Sequence, residues 1–490
     1  MKYQQNLVVI GAGAGGLVSA YIASAVKSNV TLIEASFMGG DCLNYGCVPS
    51  KTLIHIAQQV KESIDVYNQG IVKQPPDIDV DFKQVMNKVK QAIAQIHPKD
   101  SVERYRSLGV NVIKGRAIIM SPNSVKVVDV DGEGGEKGEQ IITCKKIIIA
   151  TGARPRIVEI KGLDSKYIYT SENIWKIETL PKKMLIIGSG SIACELGQAF
   201  NRLGSKVSIL ARSSRILCKE DKDASTVIDQ TLVDEGVKIY KQCKNIQANN
   251  NLITFKANDI EHILEFDTVL MAAGKTGNSQ NLGLDNTNIQ TDGQNYITVN
   301  DYNQTSQKSI YAVGDITGGL QYTHTAAHAA WYSTINSLFG SFKRFKQNNN
   351  NIPFAIFTQP QLAKIGLSEK QIIERNIKFD CTVLPINEND KMVCNQQQNG
   401  LIKLWSEKGT DKVLGVVIVG DQASELMPQW VWLMKQKQGL NTMLAMPHIY
   451  PSYNEINKAI AGKWKLKQTQ NPKTQFILSI VKWMFDFSIK

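Results

Sequence analysis

The segment Gly39-Gly40-Asp41-Cys42-Leu43-Asn44-Tyr45-Gly46-Cys47-Val48-Pro49-Ser50-Lys51 sets two thiols five residues apart. A close thiol pair is a unit of two-electron chemistry, because it opens and closes one S–S bond. Along a regular helix the rise between them alone would be about 7.5 Å, beyond the roughly 4.4–6.8 Å that a disulfide allows between Cα atoms. The chain must therefore be distorted here, and Asn44 and Gly46 permit that. A helix beginning near Cys47 would lower the pKa of that thiol. A zinc centre needs two further ligands, and none stands nearby at metal spacing, so no metal site is assigned. The other cysteines (144, 194, 218, 243, 381 and 394) are too scattered for a secreted disulfide framework.

Two glycine-rich turns offer anion sites. Gly11-x-Gly13-x-x-Gly16 follows the apolar run LVVI, and Glu34 ends the next apolar run 23 residues after Gly11. Such glycines give a tight turn, close backbone approach to a pyrophosphate and close helix–strand packing, and the acid suits a ribose hydroxyl. Gly188-x-Gly190-x-x-Ala193 repeats the pattern, but its second apolar run ends in Ala211-Arg212-Ser213. An arginine there accepts a 2′-phosphate and the serine donates to it, which favours NADPH over NADH.

The elements that must position these groups are legible as strand, turn, helix, strand at 6–34 and again at 184–212, a βαβ unit twice over, which implies parallel sheets. Between them lie an amphipathic helical region (about Asp81 to Leu108), strands (about Val110 to Val130), a turn-rich tip at 131–140 and the strand Lys146–Ala150, closed by Thr151-Gly152. The polar stretch 346–352 reads as a linker, and alternating strands and helices follow to about Trp464.

The chain has 490 residues and a mass of 54.4 kDa, enough for about three domains. With 43% hydrophobic and 20% charged residues, disordered and fibrous classes are excluded. The net charge is +12, and residues 456–490 supply +6 of it, with seven lysines against Asp486 alone. Half the basicity thus belongs to a tail, and phosphate-cradling glycines account for anion sites without a nucleic-acid partner. Apolar runs fall short of the ~18 residues of a membrane span. Leu7–Val26 reads as strand, turn and helix and not as a leader, which points to the cytoplasm. In the tail, Phe476, Ile477, Ile480, Val481, Met484 and Phe487 share one helical face, widened by Trp483 and Phe485. With the nearby lysines, this reads either as a peripheral anchor at the inner membrane surface or as a face packed on the protein's own dimer or core.

Two fingerprints with a CxxxxC after the first resemble the class I pyridine nucleotide–disulfide oxidoreductases, which include dihydrolipoamide dehydrogenase, glutathione reductase and mercuric reductase. Further resemblance lies in Ile149-Ala150-Thr151-Gly152-Ala153, Ala272-Ala273-Gly274, Tyr311-Ala312-Val313-Gly314-Asp315 and the apolar run Gly415–Gly420. It implies an α/β protein with two Rossmann-like dinucleotide-binding domains and a C-terminal α+β interface domain. FAD is then expected on 1–152 and 278–345, NADPH on 153–277, and dimerisation on 346–465, with 466–490 as the tail. The resemblance puts one FAD on Gly11, Gly13, Gly16 and Glu34, with Gly314 and Asp315 toward its ribityl and pyrophosphate, and NADPH on Gly188, Gly190, Arg212 and Ser213, with Gly40, Lys51, Thr151, Gly152 and Gly274 as further cofactor-binding residues. It makes Cys47 the flavin-side thiol, Cys42 the interchange thiol and Lys51–Glu195 an ion pair near the flavin, in a homodimer.

There are departures from the family pattern. Disulfide reductases carry His-Pro-x-x-x-Glu near the C-terminus, and with Pro451 and Glu455 aligned, Tyr450 stands where the acid–base histidine should be. A phenol titrates near 10 and an imidazole near 6.5, so Tyr450 shuttles protons poorly at neutral pH, and His448 substitutes only if the loop is rebuilt. A tyrosine there, with LARS at 210–213, resembles the mercuric reductase branch, although no cysteine follows Cys394 to form that enzyme's C-terminal pair. Asp41 replaces the usual Thr, and Lys275-Thr276-Gly277-Asn278 the usual Arg-Thr-Pro-Asn. The acceptor is read as a disulfide, a soft metal ion such as Hg(II) or Cu(II), or a quinone; a membrane-surface flavoprotein acting as a redox sensor is the reading from another class.

Overall fold

The computed structural model describes residues 3–131, 137–349, 351–397 and 399–488. It falls into two compact units, one of residues 1–216 and 235–348, the other of residues 217–234 and 349–490.

The first unit opens with β1 (Gln5–Ile10), α1 (Ala14–Ala25), β2 (Val30–Glu34), α2 (Gly40–Asn44) and α3 (Cys47–Asn68). Then come α4 (Phe82–Ile96) and α5 (Val102–Ser107). These divide the single helical region expected at 81–108. Pro98 lacks an amide hydrogen and starts a 3-10 turn, and the Ser101 hydroxyl caps the new helix by accepting from the Arg104 amide. β3 (Asn111–Lys114), β4 (Arg116–Ser121), β5 (Ser124–Asp131) and β6 (Lys137–Ile149) follow. The expected strand at 146–150 is thus the end of a longer one, and the core of the expected tip, 132–136, lies outside the described residues.

The chain continues with β7 (Ala153–Pro155), β8 (Ile168–Tyr169), β9 (Lys183–Ile187), α6 (Ser191–Arg202) and β10 (Lys206–Leu210). α7 (Lys222–Asp234) clusters with the second unit. The first unit resumes with β11 (Lys238–Tyr240), β12 (Lys244–Asn249), β13 (Leu252–Ala257), β14 (Ile260–Glu265), β15 (Thr268–Met271), β16 (Lys275–Gly277), β17 (Ile310–Ala312) and α8 (Thr323–Phe339).

Its large sheet runs β3-β2-β1-β6-β5-β4, with β17 also on β6. β1, β2, β3, β6 and β17 pair in parallel, whereas β4, β5 and the first half of β6 are antiparallel. Both faces of β1 are buried, which is why it reads as an unbroken apolar run. Leu7 and Val9 pack with Leu17, Ala20 and Ala23 of α1, and Val8 and Ile10 pack with Ile119, Val125 and Val127. A second sheet, β11-β10-β9-β15-β8, is wholly parallel. The chain leaves for it along β7 and returns along β16, and these two strands pair antiparallel, with Thr276 opposite Arg154.

The second unit is an antiparallel sheet of β18 (Phe354–Ile356), β19 (Gln361–Gly366), β20 (Phe379–Pro385), β21 (Leu401–Glu407) and β22 (Val413–Gly420), in the order β18-β19-β22-β21-β20. Its helices are α9 (Glu369–Glu374), α10 (Asp390–Cys394), α11 (Ala423–Lys435), α12 (Leu440–Ala445), α13 (Glu455–Thr469) and α14 (Pro472–Ser488). Trp430 of α11 and Trp464 of α13 join Ile402, Leu404, Val416 and Ile418 in one core. α7 is held by Lys403, whose Nζ donates to Asp221 at 3.1 Å and Asp223 at 2.9 Å. Among the described residues no helix is long and apolar enough to cross a membrane.

Candidate active site

The thiol pair is built by a broken helix. α2 carries Cys42, Tyr45 and Gly46 interrupt it, and α3 begins at Cys47 with Gly46 as its N-cap. The Asp41 carbonyl accepts from the Tyr45 amide at 2.8 Å and the Gly46 amide at 2.6 Å, which closes the loop. The Asn44 amide donates to the Met38 and Gly40 carbonyls at 3.0 and 2.8 Å. Trp175 secures the break from outside, its indole N–H shared between the Tyr45 and Ser171 carbonyls at 2.7 Å each.

The two thiols receive opposite acidities. Cys47 is lowered to about 6, first by the hydrogen bond from Cys42, then by Thr323 and the Lys51 charge, against burial and Asp41. Cys42 is pushed up by the bond it shares with Cys47, by burial and by the neighbouring thiolate charge. Cys47 Sγ lies 3.2 Å from the Thr323 hydroxyl at the start of α8. The position of Cys47 at a helix N-terminus favours its thiolate further. One turn on, Lys51 Nζ donates to Glu195 Oε2 at 2.6 Å, and Glu195 is buried in α6.

The first glycine-rich turn sits beside this loop. A Cβ on Gly16 would lie 1.7 Å from the Gly11 carbonyl oxygen, and one on Gly40 (φ +58°) 2.6 Å from the Gly13 Cα, so α1, β1 and the thiol loop approach as only glycines allow. Glu34 ends β2 with its carboxylate accepting from the Ala12 and Ser36 amides, both at 2.6 Å. This fixes the acid against the turn, where a ribose would meet it. The Thr151 hydroxyl donates to the Asn278 carbonyl at 2.9 Å, Gly152 and Gly274 face open space, and Gly314-Asp315 starts a 3-10 turn below α8. These residues fit the adenine dinucleotide that the turn implies. At the second turn, Gly190 caps α6 with open space around it, and exposed Arg212 and half-buried Ser213, whose hydroxyl donates to the Arg215 carbonyl at 2.7 Å, follow β10.

The structure thus gathers Cys42, Cys47, Lys51, Glu195, Glu34 and Asp315 in one unit. Three further residues join them that motif reading did not select as site residues: Thr323, Trp175 and Lys275. Lys275 donates to Asp41 at 2.9 Å and to Asp315 at 3.0 Å. Among the described residues no group of three or more His, Cys, Asp or Glu is arranged to hold a metal ion.

Tyr450 and Glu455 belong to the second unit. Tyr450 is 68% exposed, and its hydroxyl donates to Asp390 Oδ2 at 2.9 Å. That bond, and then the carboxylate charge, raise its pKa. Glu455 accepts from the Ser452 amide at 3.2 Å. His448 is committed elsewhere. Its Nδ1 faces the Met446 carbonyl at 3.0 Å and its Nε2 the Gln429 side-chain amide at 3.1 Å. Facing a carbonyl, Nδ1 carries the hydrogen, and Nε2 accepts from Gln429. Gln429 is held in turn by Asn457, and Asn457 by buried Trp430.

Several known proteins are similar to this chain. The mercuric reductase of Lysinibacillus sphaericus is 31% identical over 426 residues, 86% of this chain and 76% of that one. The dihydrolipoyl dehydrogenase of Chlamydia pneumoniae is 31% identical over 458 residues, 93% and 96% of the two chains. A solved Cu(II) complex of the HOCl-induced flavoprotein disulfide reductase RclA from Escherichia coli superposes with a TM-score of 0.80 at 25% identity, covering 94% of this chain and 99% of that one. The pyridine nucleotide-disulphide oxidoreductase model matches residues 5–330, and that family's dimerisation domain matches 352–460. With FAD and NAD(P)H as the cofactors this implies and a homodimer as the assembly, the chain belongs to the class I pyridine nucleotide–disulfide oxidoreductases.

Proposed function

We propose that the chain takes electrons from NADPH through one bound FAD to a Cys42–Cys47 disulfide, and passes them to a soft metal ion such as Hg(II) or Cu(II). FAD, when bound, supplies the two-electron relay between the nicotinamide and the disulfide. The residues of the chain do the rest. As the S–S bond takes two electrons, one proton from water settles on Cys42, whose acidity is suppressed, and the negative charge stays on Cys47 beside Lys51. A thiophilic cation binds this half-buried pair. When the S–S bond re-forms, two electrons leave for one Hg(II) or two Cu(II), and the Cys42 proton is released. Arg212 and Ser213 select the 2′-phosphate.

The observation that carries the metal reading is Tyr450, with its proton committed to Asp390. Reduction of a disulfide substrate needs a proton for each leaving thiolate, and a metal ion needs none. The names of the mercuric reductase and of the Cu(II) complex agree with it. A disulfide acceptor is the second reading, supported by equal identity to a dihydrolipoyl dehydrogenase over more of the chain. An acceptor screen decides. Holoenzyme receives NADPH with thiol-chelated Hg(II), Cu(II), oxidised glutathione, lipoamide or a quinone in turn. The fastest NADPH oxidation is expected with a metal ion, and Cys42→Ser abolishes it. Faster turnover with lipoamide or glutathione transfers the reading to disulfides. Quinone turnover undiminished in Cys42→Ser removes the dithiol from the path.

We also propose that α14 rests on an anionic membrane surface, supported by the exposure of Phe476, Ile477, Trp483, Met484 and Phe485 and by the net charge of +6 over residues 456–490.

A further inference from the structure

Two departures from the family pattern meet in space. Asp41 precedes Cys42, and Lys275 opens β16, 234 residues later. Lys275 Nζ donates to Asp41 Oδ2 at 2.9 Å and to Asp315 Oδ2 at 3.0 Å, with its side chain 16% exposed. Burial works against the cation, but the Asp315 and Asp41 charges outweigh it, so Lys275 stays protonated. Its main chain is fixed as well: the Tyr296 hydroxyl donates to the Lys275 carbonyl at 2.8 Å, and Gln321 donates to that hydroxyl at 3.0 Å. Asp41 therefore holds the strand β16 with its side chain, while its carbonyl closes the loop into α3. An unneutralised carboxylate here would stand next to Cys42 in sequence and oppose ionisation of both thiols.

We propose that Lys275 is a positioning residue for the dithiol: it fixes Asp41 and offsets its charge, so that the carboxylate opposes the Cys47 thiolate less than it would alone. This rests on the reading that the thiol pair carries the electrons. The groups that act on Cys47 are Lys51 on its own helix, Cys42 and Asp41 from α2, Glu195 of α6 through Lys51, and the uncharged Thr323 of α8. Lys275 reaches this set through Asp41. Glu172 lies in the field of both, raised by burial first and by Asp41, and lowered by Lys275.

The test is the pH dependence of Cys47 alkylation by iodoacetamide in the reduced holoenzyme, located by peptide mass. Wild type is expected to show a midpoint near 6. K275M should move it up by about one unit, K275R should leave it in place, and K275M/D41N should return it to the wild-type value. Should K275M fail to fold, D41N and K275M/D41N carry the test, and their curves must coincide. A K275M curve superimposed on wild type overturns the proposal, as does a double variant that stays shifted, because Lys275 would then act otherwise than through Asp41. A wild-type Cys47 with an ordinary midpoint is a separate result: it removes the underlying reading of the thiol pair.

Discussion

Cys42 and Cys47 are the same chemical group on one short loop, and the loop makes them unlike. The shared hydrogen bond places one proton on Cys42 and leaves Cys47 to ionise near pH 6. A lowered pKa means that the thiolate is present above that value and lost below it. The two-electron-reduced enzyme should therefore show a long-wavelength flavin–thiolate band that fades as the pH falls through about 6, and Cys47→Ser should abolish it. A band that survives the substitution assigns the donor elsewhere. Tyr450 shows the opposite case, since Asp390 holds its proton in place. Oxidised glutathione and lipoamide should be turned over slowly at neutral pH, and Tyr450→His should raise those rates, as steady-state NADPH oxidation will show. The thiol pair and the glycine fingerprints could be read from spacing, because each is local. Thr323, 276 residues from Cys47, and Lys275, 234 from Asp41, could not. Only the closing of the large sheet and the return along β16 bring them to the thiols.

Elements were legible where one period runs unbroken. The two βαβ units appear as read, because strands buried on both faces leave continuous apolar runs. The region 81–108 reads as amphipathic and helical throughout, while the break within it depends on one missing amide hydrogen. Within the fingerprints, glycines of one motif do different work. At Gly16 a Cβ meets the chain itself at 1.7 Å, whereas at Gly190 it meets nothing within 4 Å. Gly16→Ala should thus cost about 1–3 kcal/mol of stability and release FAD, seen as a lower Tm and lost yellow colour. Gly190→Ala should keep its Tm and instead raise the KM for NADPH, because only the approaching pyrophosphate is blocked. Equal effects in both assays would mean that the second turn binds no dinucleotide. The proposed preference for the 2′-phosphate belongs to the strand end beside it. One charge-assisted contact contributes roughly 1.5–3 kcal/mol, so Arg212→Glu should lower kcat/KM for NADPH about ten- to a hundredfold and spare NADH.

At the scale of the whole molecule, α14 stands apart. Trp430 and Trp464 close the core of the second unit. On α14, Phe476 is 67% exposed, Trp483 64% and Phe485 66%. The sequence leaves open whether this face packs on the protein's own dimer or core or on a membrane, and its exposure in the single chain argues only against the core. An apolar helix face of this extent marks an interaction site. The lysines at 458, 463, 465 and 467 precede it and Lys482 lies on it, a charge pattern suited to anionic lipid. The apolar attraction and the charge attraction respond differently to salt, and that separates a membrane from a second copy of the chain. Intact protein should sediment with vesicles containing anionic lipid at low salt and release at high salt, where charge is screened and apolar burial is not. Removal of residues 471–490 spares Trp464 in its core and should end sedimentation while FAD content and the dimer persist. A truncated protein that becomes monomeric would assign α14 to the dimer. Unchanged sedimentation would place the lipid contact on another face.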